Sequence, residues 1–153
     1  MVYVTWGAIG WLPDIARWAR VVSSLLKPGG TLYLLEGHPS LMALNEKTPN
    51  LEHGFDWRTP QDVPIVEEET TTYTGDTTPV AAATTNSWIH PLSDIINAVI
   101  GAGLRLDYLH EHEELAWQFA PIMVAKEGKR RMWVLPESFK KLPLAFSLQA
   151  TKS

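Results

Sequence analysis

Glu36 and His38 are the side chains whose types and position best suit proton transfer, because both follow a strand-like segment. Residues 31–35 are mostly apolar, and Glu36-Gly37-His38 comes directly after them. Open α/β sheets bind ligands at the carboxyl ends of their strands, and a histidine there can orient an acceptor or take its proton near neutral pH. We therefore predict Glu36 and His38 as catalytic residues, with capping of the strand end as the alternative for His38.

A second group of possible ligands is the run His110-Glu111-His112-Glu113-Glu114. On a β-strand, His110 and His112 point to the same side, and a carboxylate could complete a metal site of nitrogen and oxygen ligands. The sequence indicates no further ligand, since it has no cysteine and no other metal-binding spacing. We predict a solvated strand end and no metal. The sequence also lacks a G-x-S-x-G nucleophile motif, so nothing in it supports hydrolysis.

The elements that must position Glu36 and His38 form a strand–helix–strand unit. Residues 2–5 are typical of a short buried strand, and Pro13 suits the first turn of the helix that follows. Apolar residues at three-four spacing predict the packed face of this helix: Ile15, Trp18, Ala19, Val22, Leu25 and Leu26. The turn Lys27-Pro28-Gly29-Gly30 ends the helix and returns the chain to a strand. A parallel sheet is the usual home of this unit.

The rest of the chain predicts one more helix and two more strands of the sheet. Pro91 begins a helix that Gly101 and Gly103 end. Residues 104–111 and 142–151 alternate in hydrophobicity, so each predicts a strand; Leu104, Leu106, Tyr108 and His110 would share one face of the first. Residues 39–90 lose this regularity and are predicted to be an insertion or lid, in which 65–74 and 82–88 would pair as a β-hairpin.

Composition limits the classes of partner. A chain of 153 residues with 45% hydrophobic content is typical of one globular domain. The net charge of -4 comes without a strong basic run, which argues against a nucleic-acid partner. The absence of cysteine fits a reducing cytoplasm, and no segment approaches the roughly 18 apolar residues of a membrane span. We expect a soluble cytoplasmic protein that binds a small molecule.

Three stretches together resemble the class I S-adenosylmethionine-dependent methyltransferases, nearest to the small-molecule, ubiquinone-biosynthesis-like branch. They are Tyr3-Val4-Thr5-Trp6-Gly7-Ala8-Ile9-Gly10-Trp11-Leu12-Pro13-Asp14, Leu25-Leu26-Lys27-Pro28-Gly29-Gly30-Thr31-Leu32-Tyr33-Leu34, and Glu36-Gly37-His38-Pro39. With the later helix and strand pair, the resemblance covers almost the whole chain. It implies an α/β fold, the C-terminal half of a Rossmann-like methyltransferase sheet, with strands in the order 4-5-7-6, the last strand antiparallel, and an inserted β-hairpin.

The resemblance also implies a function and a set of site residues. The function is methyl transfer from S-adenosylmethionine to a small-molecule acceptor. The positions where the family contacts the methionine part of the cofactor correspond to Thr5, Trp6, Gly7 and Ala8. Large aromatic residues that could line an apolar acceptor pocket are Trp11, Trp57, Tyr73 and Trp88.

One part of the family pattern is not found in this sequence. The glycine-rich loop after the first strand and the acidic residue that ends the second are both missing, and Gly101-Ala102-Gly103 ends a helix instead of starting one. We therefore expect residues 1–153 to be a single truncated domain without the N-terminal cofactor-binding half. The alternative function is an inactive remnant that acts as a binding or dimerisation module. In either case residues 2–5 would form an unpaired edge strand, which favours a homodimer or higher assembly.

Overall fold

The computed structural model describes residues 1–68, 84–128 and 131–153, which form a sheet with helices and two short hairpins. In chain order the elements are β1 (Val2–Thr5), a 3-10 turn (Ile9–Trp11), α1 (Ile15–Leu25), β2 (Thr31–Gly37), α2 (Pro39–Met42), β3 (Ile65–Glu68), β4 (Thr84–Ser87), α3 (Leu92–Gly101), β5 (Leu104–His112), β6 (Val124–Ala125), β7 (Trp133–Val134) and β8 (Ala145–Lys152). None of the helices formed by the described residues could span a membrane.

The main sheet has the strand order β1-β2-β8-β5. β1 and β2 are parallel, whereas β8 runs antiparallel to both β2 and β5. This is the predicted order 4-5-7-6 with an antiparallel last strand, so the predicted fold class is confirmed. β1 lies at one edge of this sheet, as expected.

Helices α1 and α3 pack against each other and cover one face of the sheet. The Asp14 side chain accepts a hydrogen bond from the Arg17 amide and caps α1. The helix therefore begins at Ile15, so Pro13 precedes it and does not lie in its first turn, where the sequence predicted it. The core between helices and sheet is apolar and includes Val22, Leu26, Leu32, Leu34, Ile95, Val99, Phe146 and Leu148. This packing places the carboxyl ends of β1 and β2 beside the start of α3.

β5 departs from the single alternation that the sequence predicts. The strand pairing shifts between Leu106 and Tyr108, which is the signature of a β-bulge. Leu109 therefore packs against the core on the same side as Leu106, and the predicted common face of Leu106, Tyr108 and His110 is wrong. One extra residue in a strand reverses the side on which all later side chains lie.

A second apolar core lies beyond the carboxyl ends of β1 and β2 and joins two distant parts of the chain. Leu41 and Leu51 pack there with Leu115, Ala120 and Leu144. The predicted hairpin is present where the structure describes it, since Ile65–Glu68 pairs antiparallel with Thr84–Ser87. The other residues of the two predicted hairpin strands between positions 69 and 83 lie outside the described residues.

Candidate functional site

Glu36 lies at the carboxyl end of β2, and its carboxylate holds the loop that follows β1. The side chain is buried and accepts hydrogen bonds from the main-chain amides of Gly7, Ala8 (2.7 Å) and Ile9 (3.1 Å). These amides converge because Trp6 and Gly7 have positive φ angles of 43° and 81°, which turn the chain sharply. Among the described residues, every hydrogen bond to this carboxylate comes from main chain, so the geometry gives Glu36 a positioning role. Its catalytic role stays a prediction.

A small cavity opens at the carboxyl ends of β1 and β2 beside this loop. Its volume is about 90 Å³, and its lining includes Gly7, Glu36, Met42, Trp88, His90 and Trp117. Apolar side chains supply most of these walls, and Glu36 and His90 supply ionisable groups. This is the edge of an α/β sheet at which ligands usually bind.

The structure brings only some of the predicted aromatic residues to this cavity. Trp88 lines it, and the Trp88 indole nitrogen donates a hydrogen bond to the Gln61 carbonyl oxygen. Trp57 is 62% exposed and carries the Arg58 guanidinium 4.7 Å above its ring. Trp11 is 56% exposed and does not line the cavity, whereas Tyr73 lies outside the described residues.

Two of the predicted cofactor-binding residues, Thr5 and Trp6, support the loop from the sheet side. Thr5 ends β1 opposite Leu35, and the Trp6 amide donates to the Leu35 carbonyl oxygen at 2.9 Å. The Trp6 ring packs edge-on against Trp117, with 5.4 Å between ring centroids. Both residues therefore help to hold Gly7 at the cavity.

His38 lines a different cavity from Glu36, although only one residue separates them in the chain. A depression of about 200 Å³ contains His38, Trp57 and Leu92. The Nδ1 atom of His38 accepts the Ser40 amide at 3.1 Å and so caps α2. Its Nε2 atom lies 3.1 Å from Glu111 Oε1 but away from the direction of a straight hydrogen bond. This geometry makes His38 the N-cap of α2, and the catalytic role of His38 stays a prediction.

We expect the free energy of unfolding to fall on acidification because of His38. Burial lowers the pKa of its imidazole below 6.5, and the Glu111 carboxylate opposes that shift. The pKa of His38 is lower in the folded protein than in the unfolded chain. At pH values between these two pKa values the unfolded chain binds more protons, so the protein becomes more stable as the pH rises through this range.

Urea unfolding between pH 5.5 and 7.5 measures this dependence. The His38→Gln variant should show a flatter profile, and the exposed His53 provides the matched variant His53→Gln, which should keep the wild-type profile. Equal profiles for wild type and His38→Gln would contradict the assignment.

The sequence analysis missed most residues of the cavity, among them Trp117, Met42 and His90. Trp117 and Met42 pack so closely on Gly37 that an added Cβ would lie 3.2 Å and 3.1 Å from them. His90 donates from Nε2 to the Leu12 carbonyl oxygen at 2.7 Å. His90 lies between a strand and the proline that precedes α3, and this position could have indicated a site residue. No periodic pattern in the sequence indicates Trp117.

The predicted pair His110 and His112 has no metal-binding arrangement in the described structure. The two rings lie 6.5 Å apart, and His112 Nε2 is 2.8 Å from Ser147 Oγ. Within residues 1–68, 84–128 and 131–153, no group of three or more potential ligands is positioned to hold a metal ion.

The described residues fit only a small part of S-adenosylmethionine, the cofactor that the resemblance implies. A cavity of about 90 Å³ is well below the roughly 300 Å³ at which small-molecule sites begin. The converging amides of Gly7, Ala8 and Ile9 already bind Glu36. Glu36 itself is committed to those amides, so it is not free to bind ribose hydroxyls. The whole cofactor therefore does not fit this cavity alone.

Comparison with known proteins gives a match at the level of fold. No family model and no curated protein matches the sequence. One similar solved structure is a protein from Listeria monocytogenes, provisionally named an S-adenosylmethionine dependent methyltransferase: the TM-score is 0.56 at 15% identity, over 99% of this chain and 61% of that one. Another is an S-adenosylmethionine dependent methyltransferase from Mesorhizobium loti, with a TM-score of 0.54 at 15% identity, over 98% of this chain and 60% of that one.

The chain thus spans about three fifths of the length of these two structures. An identity of 15% is evidence for a shared fold and not for a shared activity. The strand order β1-β2-β8-β5, with its antiparallel last strand, agrees with that likeness. The chain therefore has the fold of the class I S-adenosylmethionine-dependent methyltransferases.

Proposed function

We propose that this chain forms the acceptor side of an S-adenosylmethionine-dependent methyltransferase that acts on a small molecule in the cytoplasm. The observation that supports this most is the cavity at the carboxyl ends of the parallel strands β1 and β2. Trp88 and Trp117 supply apolar walls for an acceptor, and the loop held by Glu36 closes one side. In this proposal residues 39–90 act as the lid that carries Trp88.

Positioning is the main task of such a site, because methyl transfer from a sulfonium requires alignment of the acceptor. S-adenosylmethionine would supply the methyl group. Its methionine part is proposed to lie along Thr5, Trp6, Gly7 and Ala8, and its nucleotide part needs groups that the described cavity does not contain. We propose that assembly of chains supplies those groups.

Calorimetric titration with S-adenosylhomocysteine tests this function, with the oligomeric state measured on the same sample. We expect micromolar binding, at least tenfold weaker in Trp88→Ala because Trp88 lines the same cavity as Gly7, along which the methionine part is proposed to lie. Trp11→Ala, which removes an exposed tryptophan outside the cavity, is the matched control and should bind like wild type. A folded protein that binds no S-adenosylhomocysteine would overturn the enzymatic proposal and leave the binding module.

The second candidate function is a dimerisation module, and the open edge of the sheet favours it. β1 pairs only with β2 in the described sheet, and Tyr3 is 64% exposed while its ring stacks on Tyr33. The Trp6 amide points toward β2, so by strand alternation the Tyr3 amide points away from the sheet. An edge of this kind can pair with the same strand of a second copy.

Tyr3→Lys should shift the protein from dimer to monomer, because a charge on an edge strand opposes edge-to-edge pairing. We expect the dimer dissociation constant to rise at least tenfold, measured by sedimentation. Val21→Lys places the same charge on an exposed position of α1 and should leave assembly unchanged. A monomeric wild-type protein at tens of micromolar would contradict the dimer.

A further inference from the structure

His90 is held in one tautomer by its contact with the loop before α1. Its Nε2 atom lies 2.7 Å from the Leu12 carbonyl oxygen. A carbonyl oxygen only accepts hydrogen bonds, so Nε2 must carry the proton. In the neutral ring Nδ1 is then unprotonated and able to accept a hydrogen bond.

Nδ1 of His90 has no hydrogen-bond partner among the residues that the structure describes. The residue is 9% exposed and lines the cavity with Trp88 and Trp117. A ligand that covered Nδ1 without offering a donor group would bury an unsatisfied acceptor, which costs about 1–3 kcal/mol. The cavity therefore favours a ligand whose O–H or N–H group can donate a hydrogen bond to Nδ1 over a purely apolar ligand.

Charge and size narrow the class of ligand further. Glu36 places a carboxylate in the lining, and no lysine or arginine is among the described residues of the cavity. An anionic ligand would meet repulsion without a compensating cation. A dry apolar cavity of about 150 Å³ holds a benzene molecule, so about 90 Å³ admits only the end of an aromatic ligand.

We propose that His90 Nδ1 is the ligand-binding acceptor of this cavity and that it selects neutral, apolar molecules with a hydroxyl or N–H group, phenols above all. The cavity is the acceptor site in the function proposed above. The inference therefore rests on that function and specifies the class of molecule that the site binds. Binding of such a ligand needs no methyl donor. It can therefore be tested with the chain alone.

The test is NMR of the protein with ¹⁵N-labelled histidine at pH 7.5, titrated with phenol, anisole and benzoate. We expect His90 to show the tautomer protonated at Nε2, and phenol to shift the Nδ1 resonance with saturation. Anisole, which has the ring and oxygen but no proton to donate, should bind at least tenfold more weakly. Benzoate should not shift the Nδ1 resonance.

A matched pair of variants assigns the acceptor. His90→Gln keeps a donor for the Leu12 carbonyl oxygen and should lower phenol affinity at least tenfold, whereas the exposed His53→Gln should leave it unchanged. Equal affinity for phenol and anisole, a His90 ring protonated at Nδ1, or a folded protein without saturable phenol binding would overturn the proposal. The tautomer is read from wild type, so it remains decisive if His90→Gln does not fold.

These outcomes are separable from the proposed methyl transfer. Phenol binding without any binding of S-adenosylhomocysteine would keep the His90 assignment and reject the enzymatic function. Binding of S-adenosylhomocysteine with no preference for phenol over anisole would do the reverse.

Discussion

Glu36→Gln should lower the free energy of unfolding by about 3 kcal/mol, because hydrogen bonds to a charged group contribute about 1.5–3 kcal/mol each. Three main-chain amides share the Glu36 carboxylate, from Gly7, Ala8 and Ile9. A glutamine has one acceptor oxygen, and its NH₂ group would face further N–H donors. Urea unfolding followed by tryptophan fluorescence measures the change.

Glu113→Gln is the matched control for this prediction, since it makes the same chemical change at an exposed site. The Glu113 side chain is 67% exposed and pairs with Lys141 on the surface. We expect no measurable change in stability. Hydrogen exchange adds a local measurement: the amides of Gly7, Ala8 and Ile9 should exchange faster in Glu36→Gln only. Similar stability of both variants would show that Glu36 does not hold the loop.

Phe146→Ala should lower the free energy of unfolding by about 4 kcal/mol, since truncation of a buried phenylalanine typically costs about 3–5 kcal/mol. Phe146 is fully buried on β8, where it lies opposite Glu36 on β2 and Glu111 on β5. Its ring also meets the His38 ring edge-on, with 6.2 Å between centroids. The loss would therefore leave a void in the apolar core near the end of β2.

Chemical unfolding at pH 7.5 is the measurement for Phe146→Ala, and Trp11→Ala is its control. Trp11 is a larger aromatic residue but is 56% exposed, so its truncation should change stability by less than about 0.5 kcal/mol. A loss below about 1 kcal/mol for Phe146→Ala would mean that the sheet repacks around the missing ring.

Local patterns were enough to predict most of the secondary structure, whereas the order of the sheet came from the resemblance to the methyltransferase family. The three-four spacing before Lys27 predicted α1, and the turn through Gly29 and Gly30 predicted the return into β2. Gly29 has a φ of 73°, which explains the residue type at that turn. Such patterns depend on contacts within a few residues, so they are visible in the sequence.

The β-bulge of β5 was not predictable from the same kind of evidence. The alternation of residues 104–111 fits an uninterrupted strand, and the shift after Leu106 is decided by pairing with β8. Leu106 and Leu109 both reach the core only because of that shift. Packing against a partner strand thus overrode the local period.

The sequence by itself determined α1, α3, the four strands of the main sheet and the presence of ionisable groups at the end of β2. Only the tertiary structure decided which of those groups share a cavity: Glu36 faces the loop amides, whereas His38 lies with Trp57. Trp117 and His90 reach the cavity from positions far along the chain. The physical reason is that periodicity and turn chemistry are local, while a cavity is formed by segments that meet only when the two cores pack.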